Sequence, residues 1–213
     1  MIQLLLNEKN FVAVSKPIGI ASIPERDLTV PSLQKSLEAK LGTKLFVVHR
    51  LDKEVSGVLL FAKNAKTHRF LSMAFESRTI TKVYRAVLCG DLETSSGIIN
   101  APIRQFGSGR MGVDAAQGKP SVTAYTVLDK KNGCTSVEAR PETGRRHQLR
   151  VHFYSLGHPI AGDPLYGDKT IQATFPRLLL HAESVAFTSE NGHEFKIVAP
   201  LPIEFDRMNT ALQ

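Results

Sequence analysis

The sequence predicts an α+β protein built on a large mixed, mostly antiparallel sheet with helices and loops around it. Two observations support this fold class. Short segments that alternate apolar and polar residues outnumber segments with helical spacing, and several follow one another closely along the chain. No repeat, low-complexity tract or Pro/Ser-rich linker interrupts the sequence, so residues 1–213 are predicted to form a single domain.

Seven segments are predicted as strands. The first, FVAVS, ends where Lys16 and Pro17 lead into a turn. The second, GVLLFAK, is short and apolar, as expected for a strand that is buried on both faces. The central segments of the chain alternate like half-buried strands. In chain order the predicted strands are residues 11–15, 57–63, 82–88, 121–128, 134–139, 178–187 and 194–198.

Two segments are predicted as helices. Residues 65–77 place Phe70, Met73, Ala74 and Ser77 on one face, with charged side chains toward solvent.

Residues 145–156 form the second predicted helix, with Thr143 as N-cap and Gly157 as its left-handed stop. Between the two helices, the glycine-rich residues 105–119 are predicted to be a mobile loop or a hairpin tip.

Positive charge is gathered into two blocks. The net charge is +7 with a pI near 9.5. Residues 44–85 carry nine positive and three negative side chains, and residues 140–158 carry four positive and one negative. Such clustering is typical of a surface that binds phosphate backbones, although a solvated basic face without a nucleic-acid partner gives the same pattern.

The cysteines and the apolar runs predict a cytoplasmic protein. Cys89 and Cys134 have no CxxC spacing, which fits a reducing compartment better than a disulfide scaffold or a zinc site. No run approaches the roughly 20 apolar residues needed to span a bilayer. The first residues lack the basic region of a secretory signal.

The stretch HRLDKEVSG places a carboxylate beside an arginine at the start of a predicted buried strand. The charge of Arg50 would hold Asp52 ionised, and an ionised carboxylate can act as a covalent nucleophile or a base. A loop aspartate that only satisfies backbone amides is the alternative. The residues alone leave both interpretations open.

The stretch RPETGRRHQLRVHFYSLGHP invites two further hypotheses. In a helix, Arg146 and Arg150 would share a face beside His147, and the helix start would suit a phosphate. A metal site is disfavoured, because His147 and His152 are five residues apart and no HExxH pattern is present.

Tyr84, in the alternating segment KVYRAVLCG, fits either strand packing or stacking on a nucleobase.

Four stretches together resemble the RluA family of pseudouridine synthases. HRLDKEVSGVLLFAKN resembles the family's HRLD signature, and TKVYRAVLCG resembles its tyrosine-bearing strand. TGRRHQLRVHFYSLGHPIAGDPLYG and LLLHAESVAF resemble its two later motifs, in the family's order. Val55 and Arg146 stand where the family usually has threonine. These two departures place the choice of target in doubt rather than the chemistry.

The resemblance implies a pseudouridine-synthase-like catalytic domain over residues 1–213, without an S4-like domain and with its cleft across the sheet. The implied reaction isomerises uridine in transfer RNA, ribosomal RNA or both to pseudouridine, without a metal or cofactor. Asp52 would be the nucleophile, Tyr84 would stack on the target base, and Arg150 would pair with Asp52. A monomer that does not bind membranes is the expected form.

The resemblance also implies a set of substrate contacts. Leu149 would pack against the base, and Arg50 would help to occupy the space that the flipped nucleotide leaves. His49 and Arg145 are the other predicted substrate-binding residues. Two rival functions stay open at this point: an RNA-binding or RNA-folding protein of the same fold with little turnover, and a metal-dependent nuclease acting through the histidine-rich stretch.

Overall fold

The computed structural model describes residues 2–27 and 29–207. In chain order its strands are β1 (Gln3–Asn7), β2 (Phe11–Lys16), β3 (Phe46–Val47), β4 (Ser56–Ala62), β5 (Thr81–Cys89), β6 (Ser96–Asn100), β7 (Ile103–Gln105), β8 (Met111–Val113), β9 (Val122–Lys131), β10 (Cys134–Pro141), β11 (Leu180–Thr188) and β12 (Glu194–Val198). Its helices are α1 (Leu33–Leu41), α2 (Ala65–Glu76), α3 (Gln148–Ser155), α4 (Lys169–Gln172) and α5 (Ile203–Arg207). The predicted α+β class with mostly antiparallel pairing is confirmed, and all seven predicted strands are present.

The chain forms two compact units. Of the described residues, the first comprises those within Met1–Thr81 and Ala182–Pro200, and the second comprises those within Lys82–His181 and Leu201–Gln213. The single domain predicted from the sequence stays a prediction. None of the helices in the described parts of the chain is long and apolar enough to cross a membrane.

In the first unit, β2 lies between β1 and β4, and β12 pairs with β11. Every residue of β4 is buried, which explains its uninterrupted apolar sequence. Helix α2 begins at Asn64, whose side chain accepts the backbone N–H of Thr67 at 2.8 Å. This helix buries Leu71 and Ala74, and its Met73 is 57% exposed, so the predicted apolar face was wrong at Met73.

In the second unit, the strand order is β5-β10-β9-β6 with antiparallel pairing throughout. Helix α3 packs on this sheet through Phe153, whose ring lies 5.8 Å from that of Tyr125. The helix begins at Gln148, and Gly157 follows its end with a φ of 83°, as predicted. Strands β7 and β8 form a separate hairpin, so residues 105–119 do contain a hairpin tip.

The predicted start of α3 was wrong. Its N-cap is His147, with a φ of 55°, and not Thr143. The hydroxyl of Thr143 instead donates to the side chain of Gln148 at 2.6 Å. Arg146 therefore lies before the helix, and it does not share a helical face with Arg150. The first helical residues are buried, which removes the phosphate site that we predicted at an exposed helix start.

Candidate active site

Asp52 lies half-buried in the loop that leads into β4. Its backbone carbonyl accepts the N–H of Val55 at 3.1 Å, which closes a tight turn just before the strand. Gly57, the second residue of β4, has a φ of 120°, and a Cβ there would lie 2.1 Å from the carbonyl oxygen of Ala182. Only glycine fits such a close approach of two backbones. The loop thus enters β4 along a fixed path.

A buried lysine holds the residue that follows Asp52. Lys16 is 0% exposed, and its ammonium donates to the carbonyls of Pro17 and Ile20, both at 2.9 Å, and to that of Lys53 at 3.1 Å. The backbone N–H of Gly19 donates to the same Lys53 carbonyl at 2.9 Å. A buried ammonium is tolerated only where its donors are satisfied. The Lys16 ammonium therefore links the turn at residues 17–20 to the loop that contains Asp52.

Ser22 holds the residue that precedes Asp52. The Ser22 hydroxyl donates to the carbonyl of Leu51 at 2.7 Å and accepts the N–H of the same residue at 3.1 Å. Ser22 and Leu51 are both buried, so the two hydrogen bonds between them are shielded from competition with water. Asp52 is consequently fixed through the backbone on both sides, which is the arrangement expected of a preorganised catalytic side chain.

His49 anchors the start of the same loop. Its Nε2 accepts the backbone N–H of Leu60 at 3.0 Å, and its ring stacks on Phe75 with 4.5 Å between the ring centroids. An accepting Nε2 requires the neutral ring with its proton on Nδ1. These contacts give His49 a positioning role that we did not predict, and its predicted contact with substrate stays a prediction. Arg50, the next residue, is exposed.

Arg150 pairs with Asp163 in the second unit. Its Nε and Nη2 donate to the two carboxylate oxygens of Asp163, each at 2.7 Å, and the two side chains are 1% and 0% exposed. One of these oxygens also accepts the N–H groups of Leu165 and Tyr166. This buried bidentate pair was not predicted from the sequence. The predicted pairing of Arg150 with Asp52 stays a prediction.

The other predicted site residues of the second unit differ in exposure. Tyr84 is half-buried on β5, in register with Ala139 of β10. Leu149 is only 6% exposed. Arg145 is exposed, and its Nε donates to the carbonyl of Pro120 at 3.3 Å.

His147 and Tyr166 lie together beside the buried arginine. A nitrogen of the His147 ring is 3.0 Å from the Tyr166 hydroxyl, and the Arg150 guanidinium lies 5.3 Å from the Tyr166 ring centroid. Tyr166 is 1% exposed, and burial raises the pKa of its hydroxyl. Its phenol therefore stays protonated and uncharged near neutral pH, and its ring packs beside the Arg150 guanidinium.

His152 is a structural residue. Its Nε2 lies 3.0 Å from the carbonyl of Ala101, which can only accept, so Nε2 carries the proton and Nδ1 accepts from the Thr123 hydroxyl at 2.9 Å. Gln148 in turn donates to that hydroxyl at 3.0 Å. Across residues 2–27 and 29–207, no three His, Cys, Asp or Glu side chains gather as ligands of a metal ion.

One sequence comparison identifies the protein family to which the chain belongs. The profile of the RNA pseudouridylate synthase family matches residues 10–155, a range that contains Asp52, Tyr84 and Arg150. The chain belongs to this family. Its activity is the isomerisation of uridine in RNA to pseudouridine.

Individual relatives in the pseudouridine synthase family match most of the chain. An uncharacterised RNA pseudouridine synthase of Zymomonas mobilis is 38% identical over 95% of this chain and 95% of its own. The dual-specificity RNA pseudouridine synthase RluA of Pasteurella multocida is also 38% identical, over 84% of each chain. Among solved structures, human RNA pseudouridylate synthase domain containing 1 superposes with a TM-score of 0.81 at 30% identity, covering 94% of this chain and 83% of that chain.

The two departures from the synthase pattern lie in different environments. Val55 is buried, 3% exposed, so its methyl groups pack where a threonine would place a hydroxyl. Arg146 is exposed and adds a positive charge to the surface next to His147.

The pH dependence of stability is expected to report on His152. Burial lowers the pKa of its ring from 6.5, so the folded protein keeps the ring neutral while the unfolded chain takes up a proton near pH 6.5. The stabilisation from this residue is therefore complete above about pH 6.5 and is lost as the pH falls below that value. The variant His152→Gln, which cannot take up the proton, should flatten this part of the curve in urea unfolding at several pH values. An unaltered curve would show that another group causes the acid sensitivity.

Proposed function

We propose that the enzyme converts particular uridines of transfer RNA, ribosomal RNA or both, with Asp52 as the nucleophile. The observation that carries this proposal is the fixed Asp52 loop, which Lys16 and Ser22 hold on either side of the carboxylate. A relative named as a ribosomal large subunit pseudouridine synthase supports ribosomal RNA as a substrate, and one named as dual-specificity supports more than one RNA target.

In the proposed reaction, the Asp52 carboxylate initiates cleavage of the bond between uracil N1 and the ribose. The uracil then rotates and a new bond forms between its C5 and the ribose carbon. The C5 proton is released, N1 takes up a proton from water, and the Asp52 carboxylate is free again. Tyr84 stacks on the base and assists this proton removal. Arg150 pairs with Asp52 and places a positive charge beside the carboxylate.

The exposed cations supply the contacts with RNA. Extrusion of a base from a stack costs a few kcal/mol, and contacts between basic side chains and phosphates can offset that cost. Arg50, Arg145 and Arg146 are exposed and suited to this role. Arg50 takes the place of the flipped nucleotide, and Leu149 packs against the target base. His49 completes the proposed substrate contacts while it anchors the loop.

We also propose that the enzyme acts as a monomer in the cytoplasm, as one catalytic domain. Both cysteines are free, which fits a reducing compartment. Cys89 and Cys134 are in register on β5 and β10. Burial raises the pKa of the Cys89 thiol to about 11, so it is protonated and unreactive near neutral pH.

The decisive assay follows the proton lost from C5. Purified enzyme is incubated with transfer RNA and ribosomal RNA labelled with tritium at uracil C5, and tritium release to water is measured together with RNA length. We expect release from at least one RNA, with full-length product and no effect of excess chelator. RNA binding without tritium release would favour a remodelling protein, and strand scission that chelator blocks would favour a nuclease.

A further inference from the structure

The hairpin of β7 and β8 presents an aromatic ring at its tip. Phe106 follows β7 directly and is 39% exposed. Its N–H donates to the carbonyl of Arg110 at 2.9 Å, and its own carbonyl accepts the N–H of Gly109 at 2.8 Å. The ring is therefore carried by a hydrogen-bonded turn.

The Phe106 ring is held against the hairpin on defined contacts. The guanidinium of Arg104 lies 4.4 Å from the ring centroid, a cation–π stack. On β8, a Cβ added to Gly112 would lie 2.8 Å from the edge of the Phe106 ring. The ring can occupy this position only because residue 112 is a glycine.

Arg104 is itself fixed in place. One Nη donates to the side chain of Gln117 at 2.7 Å, and Nε lies 2.7 Å from a carboxylate oxygen of Asp114. Asp114 also accepts the N–H groups of Ala116 and Gln117, both at 2.9 Å. These bonds lower the pKa of Asp114 and keep it ionised. The ring thus rests on a preorganised cation, which reduces the entropy lost when a ligand stacks on it.

Further positive side chains lie on the same segment as the exposed ring, residues 104–119. Arg110 and Lys119 are exposed, and Asp114 is the one acidic residue between positions 104 and 119. An aromatic ring among cations is the combination by which proteins hold unpaired nucleotides: the ring stacks on the base and the cations contact the phosphates.

We propose that Phe106 is a stacking platform for an unpaired base of RNA. The ligand class is single-stranded or looped RNA, and any base can stack because each has a π face. The proposal deepens the proposed function, since it assumes that RNA is the partner. Binding measurements in an Asp52→Ala background test it without turnover, so they succeed or fail independently of the assignment of Asp52.

A tryptophan at position 106 reports stacking directly. The chain contains no tryptophan, so Phe106→Trp introduces its only indole. Titration with single-stranded oligouridylate is expected to quench its fluorescence as the base stacks. The matched control is Ile98→Trp on strand β6 of the same unit, where the native side chain is 71% exposed; its fluorescence should stay unchanged.

Affinities complete the test. Phe106→Ala is expected to weaken oligouridylate binding at least about fivefold, while binding of a fully paired RNA duplex stays unchanged. Because no charge is removed, the salt dependence of binding should also stay the same. The proposal is overturned if Phe106→Trp is not quenched, if both tryptophan variants are quenched alike, or if Phe106→Ala binds oligouridylate as tightly as the parent.

Discussion

Substitution of Asp52 by alanine is expected to lower pseudouridine formation by about 10⁴-fold or more, because the proposed nucleophile is lost. The hydrogen bonds from Lys16, Ser22 and Gly19 to the backbone of the flanking residues do not involve the Asp52 side chain, so the fold should be retained. RNA binding should also persist, since it depends mainly on basic side chains. Tritium release and RNA affinity, measured on the same preparation, check the two parts of the prediction.

The adjacent carboxylate provides a matched control. Glu54 lies two residues from Asp52 in the same loop and is also half-buried. Glu54→Gln should retain activity, whereas Asp52→Asn, which keeps shape and removes charge, should be as inactive as Asp52→Ala. Equal losses for Glu54→Gln and Asp52→Asn would indicate a general effect of loop charge. Full activity of Asp52→Asn would remove Asp52 from the mechanism.

The elements that the sequence predicted well are those with a local signal. The apolar run of β4, the alternation in β5 and β10, and the left-handed glycine after α3 each depend on neighbouring residues alone. The shortest of the missed elements lack such a signal. The short strands β3, β7 and β8 have two or three residues each, too few to establish a period.

The site residues that were missed depend on contacts distant in sequence. Lys16 reads locally as the charged end of a strand, yet its ammonium binds a carbonyl 37 positions later. Asp163 reads as a turn aspartate, and its buried partner Arg150 lies 13 positions earlier. The hydrophobic pattern of the sequence cannot indicate either partner. A charged residue interrupts that pattern in the same way whether its side chain is buried or exposed. The local error at Met73 has a related cause, because helical spacing does not say which part of an apolar face the sheet covers.

Removal of the Asp163 carboxylate is expected to have the largest effect on stability. Asp163→Ala takes the bidentate partner from a guanidinium that is 1% exposed, and loss of one member of a buried ion pair costs about 3–5 kcal/mol. For a chain of this length the melting temperature should fall by roughly 6–20 °C. Urea unfolding gives the free energy, and thermal unfolding gives the temperature.

Asp168 is a control that separates the contribution of the ion pair to stability from the contribution of the turn. One oxygen of Asp163 accepts the N–H groups two and three residues ahead, at Leu165 and Tyr166, and Asp168 makes the same pair of bonds to Thr170 and Ile171 at an exposed position. Asp168→Ala should therefore cost only about 0.5–2 kcal/mol, the value of a capping side chain. If the two variants are equally destabilised, the pairing with Arg150 contributes nothing measurable beyond the turn.

Stability and catalysis can be separated at the same pair. In the double variant Arg150→Met with Asp163→Asn, the buried charges are gone, while the asparagine oxygen can still accept the two backbone N–H groups. Because a buried ion pair is often replaceable by neutral side chains of similar volume, much of the stability lost in Asp163→Ala should return. Activity should not return, since Arg150 is also proposed to pair with Asp52. A stable double variant with full activity would show that the arginine serves the fold alone.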